Sequence, residues 1–275
     1  MKVQHDSVKE VKIELINTSK MYESTAGSRG IIEAVKDFSL KIENNEFVSL
    51  IGPSGCGKST VLNLVAGFLE PTEGQILLDG KPVKGPGKDR GVIFQQYAIF
   101  PFLTVQENIE FGLKLAANRI PKSERKKVAS DFIRLMGLEG FEEAYPKELS
   151  GGMRQRVAIA RAYAVEPEVF LMDEPFGALD AQTRSNMQLQ LLEALQEKRK
   201  TVLFVTHSVE EAAFLSDRVV VITSRPARIR DLVETPFPYP REEKLKTNKD
   251  FLELRETLKQ EVMQEYAMQV QGRGK

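Results

Sequence analysis

Apolar and polar residues alternate in the first third of the chain, and this pattern predicts strands. Residues 11–16 and 38–42 place an apolar side chain at every second position, as half-buried strands do. Residues 75–78 predict a third strand, and the Asp79-Gly80 pair that follows is a strong hairpin signal. We expect these early strands to form an antiparallel sheet.

Mostly apolar runs replace this alternation further along the chain. They lie at 47–51, 91–94, 169–172, 202–205 and 218–222. Such runs are typical of strands that are buried on both faces. Between the third and fourth runs, Met187, Leu191 and Leu195 recur at helical spacing. Strands that alternate with helices predict an α/β fold with a mainly parallel, helix-covered sheet.

The stretch from about 104 to 152 has a helical pattern and interrupts the strands. Ser123 is a candidate N-cap, Val128 and Phe132 follow on one face, and Gly137 ends the run. We therefore predict an α-helical subdomain inserted into a domain that spans 11–230.

Residues 231–275 are predicted to lie outside that domain. The proline-rich stretch at 234–240 indicates a stiff, extended linker. Beyond it, one helical face carries Leu254, Leu258, Val262 and Tyr266 amid charged residues. This pattern predicts a peripheral helix that packs on its own domain, and the alternative is a helix that binds a partner.

The clearest chemical signal is a match to the phosphate-loop pattern G-x-x-x-x-G-K-[ST]. Its residues are Gly52, Pro53, Ser54, Gly55, Cys56, Gly57, Lys58, Ser59 and Thr60. A predicted strand precedes the loop, and a predicted helix with Gly67 as C-cap follows it. Backbone N–H groups and the positive helix end can bind an anion there, while Lys58 can reach phosphates and Ser59 can bind Mg²⁺. The loop predicts nucleotide binding, and the alternative is a glycine-rich turn that matches by chance.

Cys56 lies within this loop at a helix N-terminus, a position that can lower the pKa of a thiol. We therefore expect thiol reagents to react with it and a bound nucleotide to protect it. The alternative is a small loop residue with no chemistry of its own.

Composition narrows the possible classes of protein. Of 275 residues, 41% are hydrophobic and 28% are charged, with 39 basic and 39 acidic side chains. This balance gives no overall field that would attract nucleic acid, so no nucleic-acid partner is predicted. No apolar run reaches the roughly 18 residues of a membrane span, the first residues do not resemble a signal peptide, and a single cysteine fits a reducing compartment. We expect a cytosolic protein.

Two further stretches indicate phosphate chemistry. Asp173 and Glu174 follow an apolar run, where one carboxylate can bind Mg²⁺ and the other can orient or deprotonate a water molecule. Ser150 can cap a helix that begins with Gly151 and Gly152 and presents bare N–H groups. Taken singly, the first stretch is also consistent with a surface turn, and the second with a capped helix beside a hinge.

Together these motifs resemble those of the ATPase subunits of ABC transporters. The resemblance covers about 13–230, with six motifs in the family's order. Residues 52–60 resemble the Walker A loop, 169–174 resemble Walker B with its glutamate, and 149–155 resemble the signature. The resemblance implies a P-loop NTPase core.

Four single residues also match motif positions of the family. Gln95 matches the Q-loop glutamine, Asp180 the D-loop aspartate and His207 the switch histidine, and Tyr22 lies where an aromatic ring stacks on adenine. For Gln95, which has Gln96 beside it, for His207 and for Tyr22, a purely structural role is the alternative.

The resemblance implies ATP and Mg²⁺ as ligands and ATP hydrolysis as the activity. The implied catalytic residues are Lys58, Glu174 and His207. The implied metal ligands are Ser59, Gln95 and Asp173. The implied nucleotide contacts are Tyr22, residues 52–60, Gln95, Ser150, Gly151, Gly152, Gln155 and Asp180.

The family's architecture also implies partners. The signature of one subunit closes over ATP on the Walker A loop of another, so a second copy or a homologous ATPase subunit is expected. A membrane permease is the next expected partner, with an external solute-binding protein acting indirectly. The chain would then lie at the cytoplasmic side of the membrane.

Four stretches are similar to the nitrate, sulfonate and taurine importer group: 100–108, 152–156, 176–180 and 206–212. Phe102 departs from that group, in which tryptophan is common, and we expect it to preserve the apolar packing there. The predicted function is ATP-driven uptake of a small solute. Alternatives are import of another small organic solute, a soluble ABC-type ATPase that acts on a macromolecule, and a non-hydrolysing regulator, although Glu174 argues against the last.

Overall fold

The computed structural model describes residues 10–23, 30–95, 98–115, 120–177, 179–197 and 199–272. The strands are β1 Val11–Glu23, β2 Ile31–Glu43, β3 Phe47–Ile51, β4 Glu73–Leu78, β5 Lys81–Pro82, β6 Arg90–Ile93, β7 Val169–Asp173, β8 Thr201–Val205, β9 Arg218–Ile222 and β10 Ile229–Glu234. The α-helices are α1 Lys58–Ala66, α2 Val105–Lys114, α3 Lys122–Leu135, α4 Gly151–Ala164, α5 Ala181–Glu197, α6 Val209–Leu215 and α7 Lys249–Gly272.

The central sheet has the strand order β10-β9-β3-β8-β7-β6 in the described residues. All of its pairs are parallel except β10 with β9. Every residue of β3 and β8 is buried. Alternate residues of β3 belong to two different apolar clusters, Phe47 and Ile51 to one and Val48 and Leu50 to the other. The strand is therefore packed on both faces, and the predicted α/β fold with a mainly parallel sheet is confirmed.

A second sheet, with the order β2-β1-β4-β5, is antiparallel and confirms the predicted antiparallel subdomain. Its first two strands have 13 residues each and are much longer than predicted. Register shifts interrupt the pairing after Leu15, and there the polar Thr18 and Ser19 are buried. Ser19 Oγ accepts the N–H of Asp37 at 3.1 Å, so the side chain replaces part of the ladder. These bulges break the alternation, which explains the shorter prediction.

The predicted helical insertion consists of α2, α3 and the start of α4. Thr104 and Glu107 form a reciprocal capping box at the start of α2, with N···O distances of 3.2 and 3.0 Å. The predicted cap at Ser123 is wrong, because α3 begins at Lys122, two residues earlier than that cap implies. Pro121 occupies the N-cap with φ −59°, and its carbonyl accepts the N–H of Arg125 at 3.0 Å. Ser123 therefore lies inside the first turn.

The sequence pattern did not predict β10. None of the residues of this edge strand is buried, and it pairs with β9 alone, so it has no apolar run to indicate it. The predicted boundary between 230 and 231 falls within this strand. Among the described residues, no helix combines the length and apolar character needed to cross a bilayer.

The proline-rich stretch after β10 is fixed to the domain by Arg241, which is only 4% exposed. Its guanidinium donates hydrogen bonds to the carbonyl oxygens of Phe214, Ser216 and Phe237, at 2.8–3.0 Å. The predicted peripheral helix, α7, follows. It buries Phe251, Leu258 and Val262 in the larger apolar cluster.

Two leucines of α7 provide a matched test of this packing. Leu258 is fully buried, whereas Leu252 is 37% exposed. We expect Leu258→Ala to lower the free energy of unfolding by about 2–5 kcal/mol, since it removes buried methyl groups and leaves a cavity. Leu252→Ala, measured in the same urea titration, should cost well under ~1 kcal/mol. Equal losses for the two variants would show that α7 does not pack as described.

Candidate functional site

The loop between β3 and α1 contains two glycines at which neighbouring atoms leave no room for a side chain. A Cβ on Gly52 would lie 2.8 Å from Ile222 Cγ1, and a Cβ on Gly57 would lie 2.5 Å from the carbonyl oxygen of Ala34. Gly57 also has a φ of +122°, a conformation that L side chains rarely adopt. Contacts with β9 and β2 therefore set the path of the loop.

Lys58 is the first residue of α1, and its side chain is buried against the loop. Its Nζ donates to the carbonyl oxygens of Gly52 and Pro53, at 2.8 Å each. The first turn of α1 contains no acidic residue. The partial positive charge of the helix N-terminus therefore adds to that of the ammonium group and favours an anion.

A cleft of about 410 Å³ opens beside the loop, within the range of roughly 300–1,000 Å³ typical of small-molecule sites. It is lined by Tyr22, Ile32, Ala34, Ser54, Gly55, Gly57, Lys58, Ser59, Thr60, Glu174 and Arg225. Tyr22 is the last residue but one of β1, pairs with Ile32 across the ladder and is 36% exposed. Residues 24–29 lie outside the described residues. The cleft thus brings an aromatic ring, an ammonium group, hydroxyls and a carboxylate together.

Ser59 and Asp173 form a pair of oxygen donors beside this cleft. Ser59 Oγ lies 3.2 Å from Asp173 Oδ1 at the end of β7. Burial raises the pKa of Asp173, and the charge of Glu174 adds to this, while the Ser59 hydrogen bond and Lys58 oppose it. A cation would favour the ionised carboxylate. Two hard oxygen donors suit Mg²⁺, which takes few protein ligands and completes its shell with phosphate and water.

Residues that follow three adjacent parallel strands meet at the Glu174 carboxylate. Gln95 follows β6, Glu174 follows β7 and His207 follows β8. Glu174 Oε2 lies 3.2 Å from Gln95 Nε2 and 3.1 Å from His207 Nδ1. Glu174 has a φ of +45°, and its N–H donates to the Val205 carbonyl at 2.8 Å. Strained backbone of this kind clusters at functional sites. Gln96, the neighbour that could have shifted the register, lies outside the described residues.

The signature-like segment forms the exposed start of α4. Ser150 is the N-cap, and its Oγ accepts the N–H of Met153 at 3.2 Å. Gly151 and Gly152 form the first turn and are partly exposed. None of these residues lines the cleft beside the phosphate loop. The chain therefore does not bring its own signature and phosphate loop into one cleft.

Two other predicted nucleotide contacts also lie outside the cleft. Gln155 is fully buried, and its side-chain amide has no hydrogen-bond partner among the described residues. It does not reach a surface in this conformation. Asp180 Oδ1 accepts the N–H of Thr183 at 3.0 Å at the start of α5, and this hydrogen bond lowers the pKa of Asp180. Ala178, its D-loop neighbour, lies outside the described residues.

Sequence reasoning missed Arg225 and the end of α7. Arg225 lines the cleft from the turn between β9 and β10, and its Nη2 donates to the Gly55 carbonyl at 2.9 Å. From α7, Tyr266 Oη lies 3.4 Å from the N–H nitrogen of Ser54, and Gln269 Nε2 lies 3.3 Å from the Ser54 carbonyl oxygen. No sequence motif indicates any of these contacts, because the segments lie about 170–215 residues from the loop.

Comparison with known proteins agrees with this site. A model of the ABC transporter family matches residues 35–177. An uncharacterized ABC transporter ATP-binding protein of Methanocaldococcus jannaschii is 54% identical over 248 residues, 90% of each chain. The nitrate import ATP-binding protein NrtD of Synechocystis is 49% identical over 218 residues, 79% of this chain and 80% of that protein.

A similar solved structure is the dimeric, post-hydrolysis state of an ATP-binding cassette bound to ADP and Pi. It is 34% identical in sequence, covers 82% of this chain and all of that chain, and has a TM-score of 0.72. Another structure, cbiO1 from Clostridium perfringens, which is part of the ABC transporter complex cbiONQ, is 24% identical with a TM-score of 0.71 and supports the fold.

The expected reactivity of Cys56 requires correction. Its side chain is fully buried, with Sγ 3.7 Å from Lys58 Nζ. Burial raises the pKa of the thiol above its ordinary value, although the charge of Lys58 opposes this. The helix N-terminus therefore does not make this thiol reactive. The N–H of Cys56 also already donates to the Pro53 carbonyl, at 3.3 Å.

We predict that Cys56 reacts slowly with thiol reagents. At pH 8 the folded chain should be labelled at least about 10-fold more slowly than the chain in denaturant, because burial blocks access to the sulfur and raises the pKa of the thiol, so that less of the reactive thiolate is present. The rate should rise as the pH approaches the raised pKa. A chromogenic disulfide reagent measures both the labelling rate and its dependence on pH. Because the chain has one cysteine, no other thiol contributes to the signal. Equal rates for folded and unfolded chains would contradict the buried position.

Proposed function

The chain belongs to the ABC transporter family as an ATP-binding subunit with ATPase activity, and from this premise we propose how its own residues perform the reaction. Phosphate binding falls to the loop N–H groups and Lys58. Lys58 exchanges the Gly52 and Pro53 carbonyls for phosphate oxygens, and the exchange is favoured because the new acceptors carry negative charge, so that Coulomb attraction adds to the hydrogen bonds. The ring of Tyr22 stacks on the adenine at the edge of the same cleft.

The observation that carries the proposal is the convergence of Gln95 and His207 on Glu174. Glu174 orients the attacking water molecule and accepts its proton, while His207 steadies the γ-phosphate. The water oxygen bonds to the γ-phosphorus as the bond from that phosphorus to the β–γ bridging oxygen breaks. ADP leaves with that electron pair, and inorganic phosphate is the second product. Most of the catalysis is positioning and electrostatics.

Mg²⁺ fits the oxygen donors beside the cleft. Ser59 and Asp173 would hold it, and Gln95 would contribute Oε1, because its Nε2 donates to Glu174. When bound, Mg²⁺ supplies charge that offsets that of the β- and γ-phosphates. The chain's own contribution is to fix these three side chains at the ends of α1, β7 and β6.

A dimer provides the missing half of the site. Ser150, Gly151 and Gly152 lie outside the cleft of their own chain, and the exposed N-terminus of α4 suits an anion. The similar cassette bound to ADP and Pi is dimeric. We therefore propose that the signature of one copy closes over ATP held by the loop of another copy or of a homologous subunit, so ATP favours the closed dimer and hydrolysis releases it.

Import of a small solute is the proposed use of this cycle. Relatives named as nitrate import ATP-binding proteins are 48–49% identical to this chain, so nitrate is the first candidate, followed by sulfonates and taurine. The chain would act at the cytoplasmic side of the membrane with a permease, and indirectly with a solute-binding protein. Phe102 is 70% exposed, contrary to its expected packing, and is a candidate permease contact.

Two alternative functions differ in the process that ATP hydrolysis by this chain would drive. Import of another small organic solute would use the same site with a different permease. A soluble ABC-type ATPase that acts on a macromolecule is less well supported, because the 39 basic and 39 acidic side chains balance and give no overall basic field.

Glu174→Gln is the sharpest test of the catalytic assignment. We expect turnover to fall by roughly 100-fold or more, because a general base contributes about 10²–10⁴, while ATP affinity stays near the wild-type value. ATP should then trap a dimer that size-exclusion chromatography with light scattering detects.

Two controls separate the parts of this test. Lys58→Ala should lose nucleotide binding, and adding Ser150→Arg to Glu174→Gln should abolish the trapped dimer while leaving binding by the monomer intact. Wild-type turnover in Glu174→Gln would reject the role of that carboxylate. A dimer that persists with Ser150→Arg would reject the signature contact.

Transport is tested with the permease in proteoliposomes. The chain should co-purify with its permease, and ATP should drive uptake of nitrate, or of a sulfonate or taurine, once a matching solute-binding protein is added. The Glu174→Gln chain in the same vesicles is the control and should support no uptake. Stimulation of turnover by nucleic acid or ribosomes, with no permease bound, would favour the macromolecular alternative.

A further inference from the structure

The turn between β9 and β10 places a second cation at the nucleotide cleft. Arg225 lines the cleft, and its Nη2 donates to the Gly55 carbonyl at 2.9 Å. Lys58 is the other cationic side chain among the described residues that line this cleft. Gly55 lies within the loop whose N–H groups face the phosphates, so this hydrogen bond holds the guanidinium beside the phosphate-binding region.

Arg225 retains donors for a ligand. A guanidinium carries five N–H donors in a planar fork that matches phosphate oxygens, and the Gly55 carbonyl takes one of them. Within the described ranges, no acidic side chain forms an ion pair with Arg225. The side chain is exposed at the mouth of the cleft, where a triphosphate can reach it.

A buried carboxylate on α7 holds this turn in place. Glu265, whose side chain is 5% exposed, accepts the N–H of Ser224 through Oε2 at 2.8 Å and pairs with Arg230 through Oε1 at 2.6 Å. Ser224 directly precedes Arg225. Because Glu265 bonds the backbone on one side of the arginine, it restricts where the guanidinium can lie.

The same helix end also contacts the phosphate loop. Tyr266 Oη and Gln269 Nε2 lie 3.4 and 3.3 Å from the backbone nitrogen and oxygen of Ser54. The turn that carries Arg225 and the loop that carries Ser54 are therefore attached to one element. This arrangement gives α7 a function in the ATP site in addition to its packing in the core.

We propose that Arg225 is a further nucleotide-binding residue that contacts the phosphates of ATP, and that Glu265 of α7 is the positioning residue that holds it there. The proposal rests on the assignment of the cleft to ATP. It predicts that loss of either side chain weakens nucleotide affinity while leaving the hydrolytic step at Glu174 largely intact.

The first experiment measures binding of a fluorescent ATP analogue to the full chain. Arg225→Gln should weaken binding roughly 5- to 10-fold, the effect of one charge-assisted hydrogen bond at an exposed site. KM for ATP should rise by the same factor, with kcat within about twofold of wild type. Inorganic triphosphate should compete less well for the variant, whereas adenosine should compete equally well for both. Arg225→Lys keeps the positive charge without the planar fork, so its affinity for the analogue should lie between that of Arg225→Gln and that of the wild type.

Arg228→Gln is the matched control for Arg225. This exposed arginine lies on the same hairpin, 3.8 Å from Asp37, and does not line the cleft. The Arg228→Gln substitution removes the same charge as Arg225→Gln and should leave the affinity for ATP unchanged. Wild-type affinity in Arg225→Gln, or a loss that Arg228→Gln reproduces, would overturn the proposed contact.

The second experiment tests Glu265 through Arg225. Glu265→Ala should raise KM about as much as Arg225→Gln, and the double variant should be no worse than either single one, because both changes remove the same contact. Glu265→Gln keeps an acceptor for the Ser224 N–H and should restore most of the affinity. Glu256→Ala, in an exposed pair with Lys259 on the same helix, is the control.

The outcomes separate this inference from the proposed function. Additive losses in the double variant, or a lower melting temperature with unchanged KM in Glu265→Ala, would show a structural role alone and overturn the positioning role. If the wild-type chain binds and hydrolyses ATP but the arginine variant matches it, only the Arg225 inference fails. If the wild-type chain binds no ATP, the proposed function and this inference fail together.

Discussion

The register of three parallel strands, β6, β7 and β8, holds the Glu174 carboxylate between an amide and an imidazole. Ile93 pairs with Met172, and Asp173 pairs with Val205, so the residues beyond each pair emerge at one edge of the sheet. A slip of one residue would turn every side chain of the shifted strand to the opposite face. Apolar packing on both faces of the sheet opposes such a slip. The polar chemistry at the edge therefore depends on the hydrophobic effect within the sheet.

Local chemistry explains what could be predicted from sequence. The phosphate loop, the helix cap at Ser150 and the C-cap at Gly67 each depend on residues within a few positions of one another, and the structure places all three as the patterns indicate. The apolar runs likewise predicted the parallel strands with small errors at their ends. The spacing of motifs could assign Gln95, Glu174 and His207 to strand ends, but only the strand order shows that they touch.

Features set by distant neighbours could not be predicted in this way. The bulges of β1 depend on Ser19 bonding Asp37, and β10 depends on the free edge of β9. The pKa of the Cys56 thiol could not be predicted from local sequence either. Its place in the sequence indicates a lowered pKa, whereas burial raises it, and the apolar cluster that contains Cys56 includes residues as distant in sequence as Ile222. Arg225 lies 170 residues from the Gly55 carbonyl that it bonds, so no local motif could associate the two.

The cations of the cleft share one electrostatic property. Lys58 bonds the carbonyls of Gly52 and Pro53, and Arg225 bonds that of Gly55. A carboxylate partner would have to be displaced before an anion could bind, and breaking a desolvated ion pair is costly. A carbonyl holds each cation in position while leaving its full charge for the ligand. The carboxylates of the site, Asp173 and Glu174, instead bond a hydroxyl, an amide and an imidazole. Among the described residues, neither cation forms an ion pair with these carboxylates, so a triphosphate would satisfy the cations and its metal ion the carboxylates.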